Sequence, residues 1–187
     1  YLDQGTTASR DLGVSILAGS CLGGGTTVNW QTSLRLPDYV RAEWAERSGM
    51  DAFRNGQFEG ALDRVTSRVH VGTGESRRNA NNAPLERGCA ALGYRWQDIP
   101  RNAHGCDFDQ CGFCVFGCRV GGKQSTATTY LADAQRAEDV RIVAGCRALR
   151  IGSEGGRVVG VDAEARVGET SHRVFVKAPL VIAACGA

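Results

Sequence analysis

The sequence predicts an α/β fold, and three features of its 187 residues carry that expectation. A short apolar run feeds a glycine run near the start. Helix-period patterns fill the middle. Near the end the period changes to two, and a continuous apolar stretch follows.

Residues 14–18 are the first apolar run and suit a strand. They lead through Gly19, Ser20, Cys21 and Leu22 into Gly23-Gly24-Gly25-Thr26-Thr27-Val28-Asn29-Trp30. Residues 37–46 predict a helix: proline is tolerated in a first turn, Val40 and Trp44 share a face, and Gly49 follows as a stop. The next pattern is cleaner. Phe58, Leu62, Val65 and Val69 repeat at spacings of 4, 3 and 4, with Glu59, Asp63, Arg64 and Arg68 on other faces.

A third helix is predicted over residues 84–92, capped by Asn82 and ended by Gly93. Residues 72–82 and 97–122 are loop-rich and polar, and Ser125 then opens a helix to about Ala137. Residues 140–143 and 148–151 predict short strands. Residues 157–165 and 172–177 alternate cleanly and predict a hairpin across Gly168. Residues 179–184 form a continuous apolar run, the pattern of a strand buried on both faces of a parallel sheet. This order suggests an α/β nucleotide-binding core interrupted by an insertion.

Composition narrows the function. A net charge of +2, from 22 basic and 20 acidic residues, leaves no electrostatic footprint for nucleic acid. No run approaches 18 apolar residues, and no charged and apolar leader pattern opens the chain. A cytoplasmic or peripherally membrane-associated location is expected. Of 8 cysteines, Cys106, Cys111, Cys114 and Cys118 crowd together, which suggests a reducing compartment and a local feature. The chain opens on Tyr1 without a Met, and residues 181–187 run as an apolar strand into a turn, so it reads as a piece of a longer protein.

Four motifs bear on chemistry. Three glycines in a row remove every Cβ, so backbone N–H groups can approach a planar ring or a phosphate, with Thr26, Thr27 and Asn29 supplying polar groups just beyond. The dinucleotide fingerprint is missing: Gly72-Thr73-Gly74-Glu75-Ser76-Arg77 has two of three glycines and no strand before it. Residues 117–123 satisfy the phosphate-loop pattern G-x-x-x-x-G-K, but Gln124 stands where a magnesium-binding Ser or Thr belongs, which argues against an NTPase. The spacing Cys106-x4-Cys111-x2-Cys114-x3-Cys118 admits an iron–sulfur cluster, with Cys146 as a distant further ligand, a zinc site, or a packed loop without metal.

Three segments carry a resemblance. They are Gly23-Gly24-Gly25-Thr26-x-Val28-Asn29-Trp30, then Cys111-Gly112-x-Cys114-x-x-Gly117-Cys118-x-x-Gly121-x-Lys123-Gln124-Ser125-Thr126, then Val181-Ile182-Ala183-Ala184-Cys185-Gly186-Ala187. In this order the chain resembles the glucose-methanol-choline (GMC) flavoprotein oxidoreductases over essentially its whole length, and most of all their long-chain alcohol oxidase and dehydrogenase branch. Ser20, ahead of the glycine run, departs from the basic or Asn residue of the wider family.

The resemblance implies FAD, held in a Rossmann-like fold with a mostly helical insertion and an antiparallel β-meander. It implies Gly23, Gly24, Thr26 and Asn29 as flavin contacts, Ala148 beside the adenine, and Ala184 and Gly186 beside the pyrophosphate. Residues 1–38 and 125–187 would form the FAD-binding portions and residues 39–124 a substrate-side insertion. The implied reaction oxidises a primary alcohol CH–OH by hydride transfer to flavin, with oxygen or another electron acceptor reoxidising it. Membrane association is left open. No metal is implied at the cysteines, and His70, His104 and His172 match no family catalytic histidine. The family's dinucleotide fingerprint and its late histidine base are expected outside residues 1–187, so this piece alone should be inactive. An iron–sulfur or zinc module and a degenerate, non-enzymatic homologue are the alternatives.

Overall fold

The computed structural model describes residues 1–107 and 111–185, which divide into two units, Tyr1–Ala137 and Glu138–Ala187. In the first unit the glycine run ends in a single helical turn, α1 (Gly25–Val28). Pro37, with φ −62°, launches α2 (Asp38–Ser48). Gly49 stops it in the left-handed region at φ 68° and returns its N–H to the Ala45 carbonyl. Asn55 caps α3 (Gly56–Arg68) by accepting from the Gln57 N–H. Trp44, Phe53 and Phe58 meet edge to face, with centroids 5.8 and 5.2 Å apart. Arg41 pairs with Asp38 and with Glu59, so an aromatic row and a charge relay join α2 to α3.

Beyond α3 come β1 (Val71–Gly72), α4 (Asn82–Ala91) and β2 (Arg101–Asn102), with β1 and β2 paired antiparallel. The last helix of the unit is α5 (Tyr130–Arg136), tied to α3 by the Arg68–Asp133 ion pair. The most deeply buried large side chains described are polar: Lys123, Gln31 and Thr129, with Ser125 and Asn102 also buried. Burial of such groups is tolerated only when they are hydrogen-bonded. Among the described residues no buried side-chain nitrogen or oxygen lacks a partner.

The second unit is an antiparallel meander of β3 (Cys146–Glu154), β4 (Arg157–Val167) and β5 (Thr170–Lys177), in that order. Its turns follow from glycine. Gly155 and Gly156 take φ 54° and 75°, the paired positive angles of a tight hairpin turn, and Gly168 takes φ 62° between β4 and β5. Arg150 on β3 reaches Asp162 across the ladder at 2.9 Å.

The structure bears out the three middle helices, the strand at residues 148–151, which lies within β3, and the hairpin, and corrects several other expectations. Residues 14–18 form no strand, only the single bridge Ala8–Ser15, and Val14, Ile16 and Leu17 are exposed. Asn82 is a helical residue and not the cap of α4; Asn79 accepts from the N–H groups of Asn81 and Asn82 instead. The helix expected from Ser125 begins only at Tyr130. Its first residues spend their hydroxyls on local carbonyls, Thr128 on Lys123 at 3.1 Å and Thr129 on Ser125 at 2.7 Å, which competes with regular helix. Residues 140–143 and 179–184 are not strands: no described segment offers either a ladder, and every described ladder is antiparallel. The described fold is therefore one of mixed helices and antiparallel strands, without the parallel sheet that residues 179–184 suggested.

Candidate functional site

The glycine turn divides its labour. Gly23 and Gly24 take φ 84° and 52°. A Cβ on Gly19 would overlap the Gly24 carbonyl, and one on Gly23 would come within 2.9 Å of the Ala127 Cβ, so these two glycines answer to the chain's own packing. A Cβ on Gly24 or Gly25 would meet nothing within 4 Å. The turn thus presents bare main chain on one side and is clamped on the other.

The clamp is built from Thr26 and Lys123. Thr26 Oγ1 donates to the Gly23 carbonyl at 2.6 Å, accepts from the Thr126 N–H at 3.0 Å and lies 2.9 Å from Thr126 Oγ1. Lys123 is 2% exposed. Its Nζ donates to the carbonyls of Thr27 (2.8 Å), Asn29 (2.8 Å) and Cys114 (2.6 Å), which uses all three ammonium protons. Burial pushes its pKa below the usual value, and the sulfurs of Cys114 and Cys118 oppose that. One buried cation therefore fastens the exit of the glycine turn to the cysteine loop.

A second polar layer lies behind it. Gln31, with φ 67°, accepts from Arg101 Nη2 through its side chain at 2.5 Å and from the Asn102 N–H through its carbonyl at 3.2 Å. Asn102 Nδ2 donates to the Gln124 carbonyl at 2.9 Å. Arg101 also donates to the Glu75 carbonyl, and its Nη2 lies 3.8 Å from Cys106 Sγ and 3.9 Å from Cys114 Sγ. The Glu75 carboxylate accepts from the N–H groups of Gly105 and Cys106, which hold its pKa below the usual carboxylate value.

The sequence-expected contacts fall in two places. Gly23, Gly24, Thr26 and Asn29 share the clamped turn, where Thr26 spends its hydroxyl internally. Asn29 is exposed, and its Oδ1 accepts from the Gln31 N–H at 3.1 Å. Ala148 lies on β3 opposite Ala163, beside a register shift, and Ala184 lies in the irregular segment after β5; both are exposed and belong to the second unit. Gly186 lies outside the described residues.

Lys123 is a residue whose role sequence reasoning missed. It completes the phosphate-loop pattern, yet its ammonium is consumed by main-chain carbonyls. Its partners were invisible in the sequence because they are backbone groups, at Thr27 and Asn29 far along the chain and at Cys114. Among the described residues no group of three His, Cys, Asp or Glu side chains is arranged to hold a metal, and the Arg101 guanidinium stands against two of the cysteine sulfurs.

A flavin ring needs bare backbone held rigidly, because any Cβ on its contact face would push it away. The open side of Gly24 and Gly25, with the opposite side fixed by Thr26 and Lys123, fits that requirement.

Comparison with known proteins points the same way. The family model described as GMC oxidoreductase matches residues 1–187. Two long-chain-alcohol oxidases of Arabidopsis thaliana, FAO4A and FAO4B, are 37% and 33% identical over the whole of this chain, which covers 26% of each. A GMC-type oxidoreductase of Mycobacterium tuberculosis is 31% identical over the whole chain, which covers 29% of it. The chain thus spans about a quarter of the length of the relatives it matches. No solved structure matches it. A sequence matched from first residue to last by one family model, with relatives more than 30% identical over the whole chain, leads to one conclusion: the chain belongs to the GMC oxidoreductase family, to the part of it that binds FAD.

Proposed function

We propose that this chain is the FAD-holding part of a longer enzyme that oxidises the CH–OH group of a primary, long-chain alcohol to an aldehyde, with oxygen or another acceptor taking the electrons. The observation that carries the reading is the glycine turn, open at Gly24 and Gly25 and clamped through Thr26 and Lys123. Similarity to the long-chain-alcohol oxidases supports the substrate class.

Bound FAD supplies the hydride acceptor that side chains lack. Gly23, Gly24, Thr26 and Asn29 would hold it at the flavin end, and Ala148, Ala184 and Gly186 at the adenine and pyrophosphate end. Gly24 and Gly25 admit a close approach of main chain. Asn29, exposed and with its carbonyl pinned by Lys123, keeps its side-chain amide at a fixed place on the edge of the turn. Lys123 places no charge on that face, because its protons point into the protein.

In this reading residues 1–38 and 125–187 hold the cofactor and residues 39–124 stand on the substrate side. A cavity of about 710 Å³, lined in part by Trp30, Leu85, Trp96 and Ile99, supports that division. Those side chains suit an alkyl chain, and Trp30 follows Asn29 directly. The general base that must take the alcohol proton is placed in the remainder of the longer protein.

The test uses the full-length protein reconstituted with FAD and offered primary alcohols of increasing chain length, with aldehyde formation measured. Aldehyde production that requires FAD and improves with chain length is expected. Failure to oxidise any primary alcohol by a flavin-loaded protein would overturn the assignment.

A further inference from the structure

The cysteine loop holds a feature that binding of FAD does not use. Cys106 Sγ and Cys114 Sγ both lie against a single nitrogen, Arg101 Nη2, at 3.8 and 3.9 Å, so the two sulfurs can be no farther apart than those two distances laid end to end. Both thiols are free and half-buried, and both line the same 710 Å³ cavity, which gives a small reagent a way in. Gly105, at φ 66° beside Cys106, and Gly117, at φ 106° three residues past Cys114, flank the pair with backbone that can adjust. Cys118 is engaged differently: its sulfur accepts from the Lys123 N–H at 3.3 Å.

We propose that Cys106 and Cys114 form a reversible redox pair, closed to a disulfide by hydrogen peroxide and reopened by thiols. The sulfur of Cys114 attacks one peroxide oxygen. An S–O bond forms, the O–O bond breaks, and the departing hydroxide takes the thiol proton and leaves as water. The Cys106 sulfur then attacks the Cys114 sulfenic acid, forming the S–S bond and expelling the second water as the Cys106 proton leaves with it. Two thiols are oxidised and one peroxide is reduced. Burial pushes the Cys106 thiol up, which disfavours its thiolate as the first attacker on peroxide.

The pair sits where closure would reach the glycine turn. Cys114 offers its carbonyl to Lys123, whose other two bonds hold Thr27 and Asn29. Arg101, displaced from two sulfurs, is the hydrogen-bond partner of the Gln31 side chain. Disulfide formation therefore acts on the same two anchors that fix residues 27–31.

The experiment treats the full-length, FAD-loaded protein with equimolar hydrogen peroxide, alkylates the remaining thiols, and maps unreduced peptides by mass spectrometry. The expected result is a Cys106–Cys114 crosslink that appears with loss of two alkylatable thiols and disappears on dithiothreitol treatment. In Cys106→Ser the expected product is a Cys114 sulfenic acid trapped by dimedone. Full alkylation of both cysteines after peroxide, a crosslink that joins either of them to Cys111 or Cys118 instead, or irreversible oxidation would each overturn the proposal. The wild-type map stands whether or not the variant folds.

Discussion

Lys123 connects stretches that lie far apart in sequence, and its removal should be felt at each of them. Lys123→Met leaves three carbonyls, of Thr27, Asn29 and Cys114, without their shared donor in a buried place. The expected loss is about 3 kcal/mol, from unsatisfied buried acceptors set against relief of a buried charge. Denaturant unfolding checks it, and an unchanged midpoint would show that the pin is dispensable. Glu75 makes a pH-dependent counterpart. Its carboxyl is held below the usual 4.5 by the N–H groups of Gly105 and Cys106, so it binds protons less readily folded than unfolded. Its contribution is therefore present above about pH 4.5 and is lost as pH falls through the lower folded value. Thermal melts of wild type and Glu75→Gln should differ at neutral pH and converge below pH 4.5; a constant gap would refute this. The glycine turn was legible in the sequence because bare backbone can be written only as glycine. The pin was not, since Lys123 selects its partners by main-chain position, which no side-chain pattern encodes.

At the scale of elements, the meander depends on close approach of strands. A Cβ on Gly160 of β4 would overlap the Val176 carbonyl and press on the Phe175 ring of β5. Gly160→Val should therefore destabilise by roughly 2 kcal/mol or more, visible as a lower Tm, through overpacking at the ladder. A Tm equal to wild type would show that the β4–β5 register is not as described. Helices α2 to α4 and strands β4 and β5 were readable because helix and strand periods are local signals. Residues 14–18, 140–143 and 179–184 were misread for a shared reason. An apolar or alternating run reports a preference for burial, whereas a strand exists only with a ladder partner, and beyond the single Ala8–Ser15 bridge none is described for them. The late start of α5 has a different cause, the threonine hydroxyls that bond backward before the helix begins.

For the whole molecule, the proposed flavin surface is the turn at residues 23–29, within the FAD-binding part of a GMC oxidoreductase. Among the described residues no helix is long and apolar enough to cross a membrane. The most direct test separates space for the chain from space for the cofactor. Gly25 is the first residue of α1, and a Cβ there meets nothing within 4 Å, so Gly25→Ala should fold as wild type does. FAD affinity of the full-length apoprotein, measured by quenching of flavin fluorescence, is predicted to fall at least about tenfold in Gly25→Ala, a cost of roughly 1.4 kcal/mol, while the Tm of the apoprotein stays unchanged. Wild-type affinity in that variant, or a wild-type protein that takes up no FAD, would contradict the account.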